Sequence, residues 1–382
     1  MRNKEEIRLQ RVVVALSATL FAVFSFLFVA KFQTPLLELL YERVATGKLE
    51  YNAYVVGASI SIFLTLFALW INRYTGFKRE WTALSYLPSS ILLAFITDID
   101  RSIYIGGYNY QKWIIVALIG VFAYASFSYV LRRVLFAKIK NVAMSANRIV
   151  WRNLEIFVVL FCLVGFLSNG EENFKREALV ESYYRKGNVK KALEVGYLSN
   201  TVSKTLATQR AYILAKEGLL GEKLFEYPQP YSSDVLFPED VQVSPLVPDS
   251  VFSLIGVNPV PGEKMLETLK RTVESVSCTP AARDYYLSAM LLDRRLVEFA
   301  GTVASLYPDV KISDMPKHYQ EALVLYSNID GSVVDSDNNG MQELYDAFKA
   351  LEKQYDDPFV RANYMRRNFG RTYWWYYLYG NI

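Results

Sequence analysis

The chain has 382 residues, 52% of them apolar and 15% aromatic, with a formal net charge of +4. Two cysteines and one histidine exclude a disulfide framework, a cysteine-rich metal site and any two-histidine metal site. So modest a charge gives no reason to expect a nucleic-acid partner.

These averages hide two regions with different solvents. Up to Asn169 there are 18 Lys and Arg against 9 Asp and Glu, a net of +9, whereas from Gly170 onward 24 stand against 29, a net of −5. A basic, apolar half followed by a mildly acidic one reads as a transmembrane domain over 1–169 joined to a soluble tail over 170–382.

A hydrocarbon layer of about 30 Å takes roughly 20 apolar residues to cross as helix, because backbone polar groups must be satisfied within the segment. Five segments are expected to cross: Val12 to Ala30, Tyr54 to Ile71, Trp81 to Thr97, Trp113 to Leu131 and Ile149 to Leu167. Four carry no charge, and the fifth carries Arg152 and Glu155 near its start, three apart on one helical face and able to pair. The first is too long for the apolar core of a signal peptide, and Lys31-Phe32-Gln33-Thr34-Pro35 offers no small-residue cleavage site, so it is expected to stay. Thr34-Pro35 then opens a short amphipathic helix, which either lies on the bilayer or packs against the bundle. Pro88-Ser89-Ser90 is expected to bend the third span.

Lys and Arg are retained on the cytoplasmic side of a span. The N-terminus, second loop and fourth loop with their flanks hold thirteen (Arg2, Lys4, Arg8, Arg11, Arg73, Lys78, Arg79, Arg132, Arg133, Lys138, Lys140, Arg148, Arg152), and the first and third hold five (Lys31, Arg43, Lys48, Arg101, Lys112). Five spans with the N-terminus inside put the tail on the outer face, the periplasm of a Gram-negative cell. The third span ends in Thr97-Asp98-Ile99-Asp100-Arg101, which holds the only two aspartates of this half. Paired carboxylates there could hold a divalent cation for a lipid-phosphate donor, as in membrane glycosyltransferases, or simply close a helix. Asp98 and Asp100 are therefore the catalytic candidates, and no second cluster completes them.

From Phe174 the pattern changes to amphipathic helices in pairs, with no strand-like alternation, so the fold class is all-α throughout. In Ala178 to Leu193, Tyr184 is followed by Gly187 in a tight turn and by Ala192 where a second helix packs closely. Thr208 to Gly218 echoes this 31 residues later, counted from Gly187 to Gly218. A third pair runs through Tyr285 to Leu292 and Leu296 to Ala300, with Asp293 in place of the turn Gly, and a fourth begins at Pro316. These four units resemble tetratricopeptide repeats, which implies a short, irregular α-solenoid with Tyr184, Gly187, Ala192 and Gly218 as packing residues. The whole arrangement is similar to a family of bacterial polytopic inner-membrane proteins with tetratricopeptide-like outer tails, a resemblance that implies a fold and no activity.

Seven of the thirteen prolines fall between Tyr227 and Gly262, so this stretch is expected to be a non-helical, ordered insertion, since Leu236, Phe237, Val251, Phe252, Leu254 and Ile255 are too apolar for a free linker. Asp335-Ser336-Asp337-Asn338-Asn339-Gly340 matches the first half of a calcium loop, with Asp335, Asp337 and Asn339 as candidate ligands, but Gln342 and Asp346 depart from its second half, and a polar turn capping the helix Gly340 to Lys353 is the preferred reading. His318 sits at a helix start and reads as structural. Thr372 to Tyr379 holds six aromatics, either an interfacial belt or the cap of the tail's core.

No nucleophile elbow, phosphate loop or dinucleotide fingerprint occurs, and no cofactor is implied. The expected function is a membrane-anchored scaffold whose tail binds a protein partner in a cell-envelope complex. The alternative is a membrane-embedded transferase or transport component acting on a lipid-linked substrate.

Overall fold

The computed structural model describes residues 2–45, 50–77, 79–105, 110–130, 145–197, 199, 202–230, 232–237, 248–257, 263–275, 278–330 and 339–380. It is all-helical, with no strand among the described residues, and it divides into two compact units, Met1–Ala178 and Leu179–Ile382.

In the first unit α1 (Arg2–Leu27) runs into one π-helical turn (Phe28–Phe32), and α2 (Thr34–Ala45), α3 (Ala53–Thr75), α4 (Leu87–Thr97), α5 (Tyr110–Val130) and α6 (Ala146–Leu167) follow. Short polar side chains set the ends. Asn52 Oδ1 accepts from the backbone N–H groups of Tyr54 and Val55 to start α3, and Gly76 closes it in the left-handed region at φ 66°. Ser145 starts α6 by accepting from Arg148 N.

Four helical stretches are long and apolar enough to cross a membrane: Ile7–Phe32, Ala53–Thr75, Gln111–Val130 and Ala146–Leu167. The packing of α3 shows which solvent they suit. Its inward face carries small or polar residues, Gly57, Ser61, Ala68 and Thr75, interspersed with Leu64 and Ile71, while Ile62, Phe63, Leu66 and Trp70 point outward. A Cβ on Gly57 would come within 2.9 Å of Ala30 Cβ, and beside this contact Ser25 Oγ donates to Ser61 Oγ at 2.9 Å. Small residues inside and large apolar ones outside is the arrangement of helices packed in lipid, where a water-exposed stripe of that size would be untenable.

The segment Trp81 to Thr97 is not one bent helix. Arg79–Tyr86 is a 3-10 helix, and only Leu87–Thr97 is α-helical, about 16 Å at 1.5 Å per residue. Pro88 stands in the first turn of α4, where its missing N–H would have had no partner anyway, so it starts a helix instead of kinking one. The neighbours complete the break: Ser89 Oγ donates to Leu64 O at 2.9 Å, and Asn153 Oδ1 accepts from Ala83 N at 2.7 Å.

In the second unit the helices are α7 (Glu172–Arg185, which enters from the first), α8 (Val189–Glu194), α9 (Lys204–Lys216), α10 (Leu220–Lys223), α11 (Pro248–Ile255), α12 (Met265–Val273), α13 (Pro280–Leu292), α14 (Leu296–Leu306), α15 (Lys317–Asp330), α16 (Asn339–Glu352), α17 (Pro358–Phe369) and α18 (Tyr373–Tyr379). Phe174 and Ala178, in the first half of α7, lie in the core of the first unit, and Val180 lies in that of the second.

Three of these helices end on one motif. Gly187, Gly218 and Arg294 have φ of 72°, 68° and 57°, and the residues after them, Asn188, Leu219 and Arg295, donate backbone N–H groups to Tyr183 O, Leu214 O and Met290 O five residues back. This closure uses the left-handed residue to satisfy the last carbonyls of the helix. The third turn's special position is therefore Arg294 and not Asp293, whose φ is −81°; Asp293 instead accepts from Ser233 through both carboxylate oxygens. Two of the second helices are short, since α8 has six residues and α10 four.

The proline-rich stretch is partly helical, which corrects the expectation. Pro248 opens α11, and no proline follows within it, so seven residues are free to hydrogen-bond as helix. Leu236, Phe237, Val251 and Ile255 are buried in the second unit's core, with Phe252 and Leu254 packed against it. Of the terminal aromatics, Tyr373, Trp374, Tyr376 and Tyr379 are buried, and Trp374 meets Tyr345 edge-on at 5.2 Å. They seal the core of the tail.

The helices approach closely at Gly221, where a Cβ would lie 2.6 Å from Tyr319 Cζ. Tyr319 cannot retreat, because it is buried and its hydroxyl donates to Asp284 Oδ1 at 3.1 Å. Burial pushes the Asp284 carboxyl above its ordinary range, against the Tyr319 hydrogen bond and the Arg283 charge.

Three outcomes follow for a fragment from Glu171 to Ile382. It should be soluble and helical and unfold cooperatively, because its core draws on its own residues. Gly221→Ala and Ala192→Phe should each destabilise it by about 1–3 kcal/mol through overpacking; an unchanged denaturation midpoint for both would show that these contacts do not form. Asp284→Asn keeps an acceptor for Tyr319 and cannot ionise. A carboxyl raised in the folded state stabilises it when protonated and loses that contribution as pH rises through the raised value. The substitution should thus raise the melting temperature at pH 7, with the gain shrinking as pH falls through the raised value and levelling off below about 4, where the carboxyl is protonated in both states.

Candidate functional site

Asp98 is the residue on which α4 ends, and the chain then turns through Asp100 and a 3-10 turn (Arg101–Ile105) towards α5. Asp98 Oδ2 accepts from Lys112 Nζ at 2.7 Å and from the Trp113 indole N–H at 2.8 Å, which holds the start of α5 beside the end of α4. Asp100 Oδ1 accepts from Ser102 N at 2.9 Å and from the Ser102 hydroxyl, which fixes the following turn. Both carboxylates thus have structural work.

A larger polar cluster surrounds them. Arg101 donates to Glu177 Oε2 at 2.6 Å and to Glu171 Oε1 at 2.8 Å, and its guanidinium lies over the Phe174 ring at 5.1 Å. Burial pushes the Arg101 value down, but the two glutamates push it up and prevail. Asn169 Nδ2 donates to Ile99 O at 2.5 Å, and Gln33 Nε2 donates to Asn169 O at 3.3 Å. Glu171 and Glu177 were not legible as partners of Arg101, because the pairings close over 70 and 76 residues and no local pattern announces them.

The other sequence candidates belong to the second stretch of the chain, after Ala178. Tyr184 is partly buried and meets Tyr212 edge-on at 6.1 Å. Gly187 and Gly218 occupy the left-handed turns, and Ala192 is fully buried. Asp335 and Asp337 lie outside the described residues, while Asn339 begins α16. Among the described residues no group of three His, Cys, Asp or Glu could hold a metal ion.

His318 is fully buried, and so is Glu321 one turn later. His318 Nδ1 lies 2.8 Å from Glu321 Oε2, the same oxygen accepts from Tyr373 N at 2.7 Å, and the Trp374 indole donates to Glu321 O at 2.7 Å. With the ring edge-on to Phe225 at 5.2 Å, this is a latch from α15 to α18.

Fold and site together define a class: an all-helical membrane protein with a separate helical tail. Residues 261–380, which span α12 to α18, match the model of a family of unknown function (DUF6057), so the chain is similar to that family over its C-terminal third. No curated protein and no solved structure matches the chain.

Asp98→Ala should destabilise the detergent-solubilised chain by about 1–3 kcal/mol, because the buried Trp113 indole loses its acceptor. Asp98→Asn with Asp100→Asn retains oxygen acceptors and should leave the physiological role intact. Loss of that role with normal protein level and melting would favour the transferase instead.

Proposed function

We propose that the protein is a membrane-anchored scaffold of the bacterial inner membrane whose periplasmic tail binds a protein partner in a cell-envelope complex. In this reading five segments cross the bilayer, Arg79–Tyr86 and α4 together making the third crossing, with the N-terminus in the cytoplasm. The thirteen-to-five distribution of cationic residues supports that orientation. The tail is an irregular tetratricopeptide-like solenoid, supported by the shared closure at Gly187, Gly218 and Arg294.

The observation that carries the reading is the set of exposed apolar and aromatic side chains on α16 and α17. Phe359 is 76% exposed and Leu344 53%, with Val360 and Tyr364 also outward. Aromatic side chains presented this way are typical anchors of protein interfaces. All four lie within the stretch that matches the family model. A transferase would instead call for a polar cavity leading to free carboxylates, and Asp98 and Asp100 are both engaged.

A reporter active only outside the cytoplasm should be active when fused after Gly170 or after Ile382. Inactivity at both sites would overturn the topology. Purification in mild detergent should recover a partner protein, and Phe359→Ser with Tyr364→Ser should release it without lowering the melting temperature of the chain. Retention of the partner by this double variant would remove the surface from the proposal.

A further inference from the structure

Helix α5 is packed unlike the other long apolar helices. Only 6% of its apolar window is buried, against 28% for each of the other three. It touches its neighbours at three separated levels. At its start Trp113 packs edge-on to Phe95 at 5.3 Å and donates to Asp98. Midway a Cβ on Gly120 would be 3.4 Å from Ile91 Cδ1. Further along, the Tyr124 ring meets Phe77 edge-on at 6.4 Å.

Between these contacts and α3 a half-open wedge of about 870 Å³ remains, lined by α3, α4 and α5. That is within the range of about 300–1,000 Å³ for small-molecule sites. Its walls are apolar, including Phe67 and Trp70 from α3, Leu92 from α4, and Ala117 and Ala125 from α5. Empty space of this size next to close-packed helices forfeits dispersion contacts on every wall, so it is filled in the working protein. Two of its three walls are helices long and apolar enough to span a bilayer, so the medium that reaches its open side is hydrocarbon.

A lysine paired with Asp98 stands beside the mouth nearest Trp113. Lys112 Nζ is 2.7 Å from Asp98 and the side chain is 47% exposed, so an ammonium N–H stays available to solvent or to a headgroup. An apolar wedge that ends beside a lysine and an interfacial tryptophan has the charge and shape complementarity of a phospholipid: chain in the wedge, phosphate at the lysine. We infer that the wedge between α3, α4 and α5 is a binding site for one phospholipid, with an acyl chain along α5 and its phosphate accepting from Lys112. This site does not depend on what the tail binds.

The test uses the full chain extracted in mild detergent and weighed intact by native mass spectrometry. The wild-type chain should carry one phospholipid. Ala117→Trp and Ala125→Phe each fill the wedge and should abolish that adduct, while Val159→Trp on the outward face of α6, where Val159 is 67% exposed, should retain it. Helicity and elution volume establish that each variant is folded, and either wedge variant alone is decisive should the other misfold. The inference is overturned if the wild type carries no phospholipid, if detergent or a polyprenyl phosphate takes its place, or if folded wedge variants keep the lipid.

Discussion

In a bilayer a helix end has no water to complete its hydrogen bonds, and the ends in the first unit are organised by that constraint. Several are closed by particular residues: Asn52 and Ser145 cap helix starts with side-chain oxygens, Gly76 closes a helix end through its backbone N–H, and Asp98, Asp100 and Asn169 hold the turn that follows α4. The same constraint explains why the 3-10 run Arg79–Tyr86 is tolerated in the core of the unit. Such runs seldom exceed three or four residues because their hydrogen bonds are poorly aligned, and here Asn153 supplies an acceptor to Ala83 N from α6. The acidic pair that suggests catalysis in the sequence is part of this closure.

The tail meets a different demand, since its short helices can be held only by one another. The aromatic C-terminal helix provides the hub. Trp374 is 1% exposed and packs with Tyr345 and Phe348 of α16, while Tyr373 and Tyr376 lie on Phe225. Glu321 then fixes the register of α18 on α15 by accepting from Tyr373 N through its carboxylate and from Trp374 through its backbone carbonyl. A buried carboxylate with a single partner would be costly; this one has the His318 ring and a backbone N–H on one oxygen, and Lys317 Nζ 4.0 Å from the other.

How much of this could be read from sequence depends on the range over which each feature is encoded. Long apolar runs are local, and four of them are helices able to cross a membrane. The αL turns at Gly187 and Gly218 are local too, because glycine advertises them. The turn at Arg294 carries no such sign, and the reading placed it one residue early, at Asp293. Pro248 was read as a helix breaker although proline at a first turn is a helix starter, a distinction that depends on where neighbouring prolines fall. Gly221 and the pairs Arg101 with Glu177 and Tyr319 with Asp284 escaped altogether, because each is a contact between residues 35 to 98 positions apart.

Small residues are used in two ways, and that difference bears on the wedge. At Gly57 against Ala30, and at Gly221 against Tyr319, a missing side chain lets one helix close fully on another. At Gly120 the approach to Ile91 is an ordinary van der Waals contact, and Ala117 and Ala125, on either side of it, line the wedge without filling it. Small residues there do not serve helix closure. Together with Trp113 held at one end by Asp98, they keep α5 at a distance from α3 that large side chains could have spanned, and a lipid chain is the apolar body of the right dimensions to stand in their place.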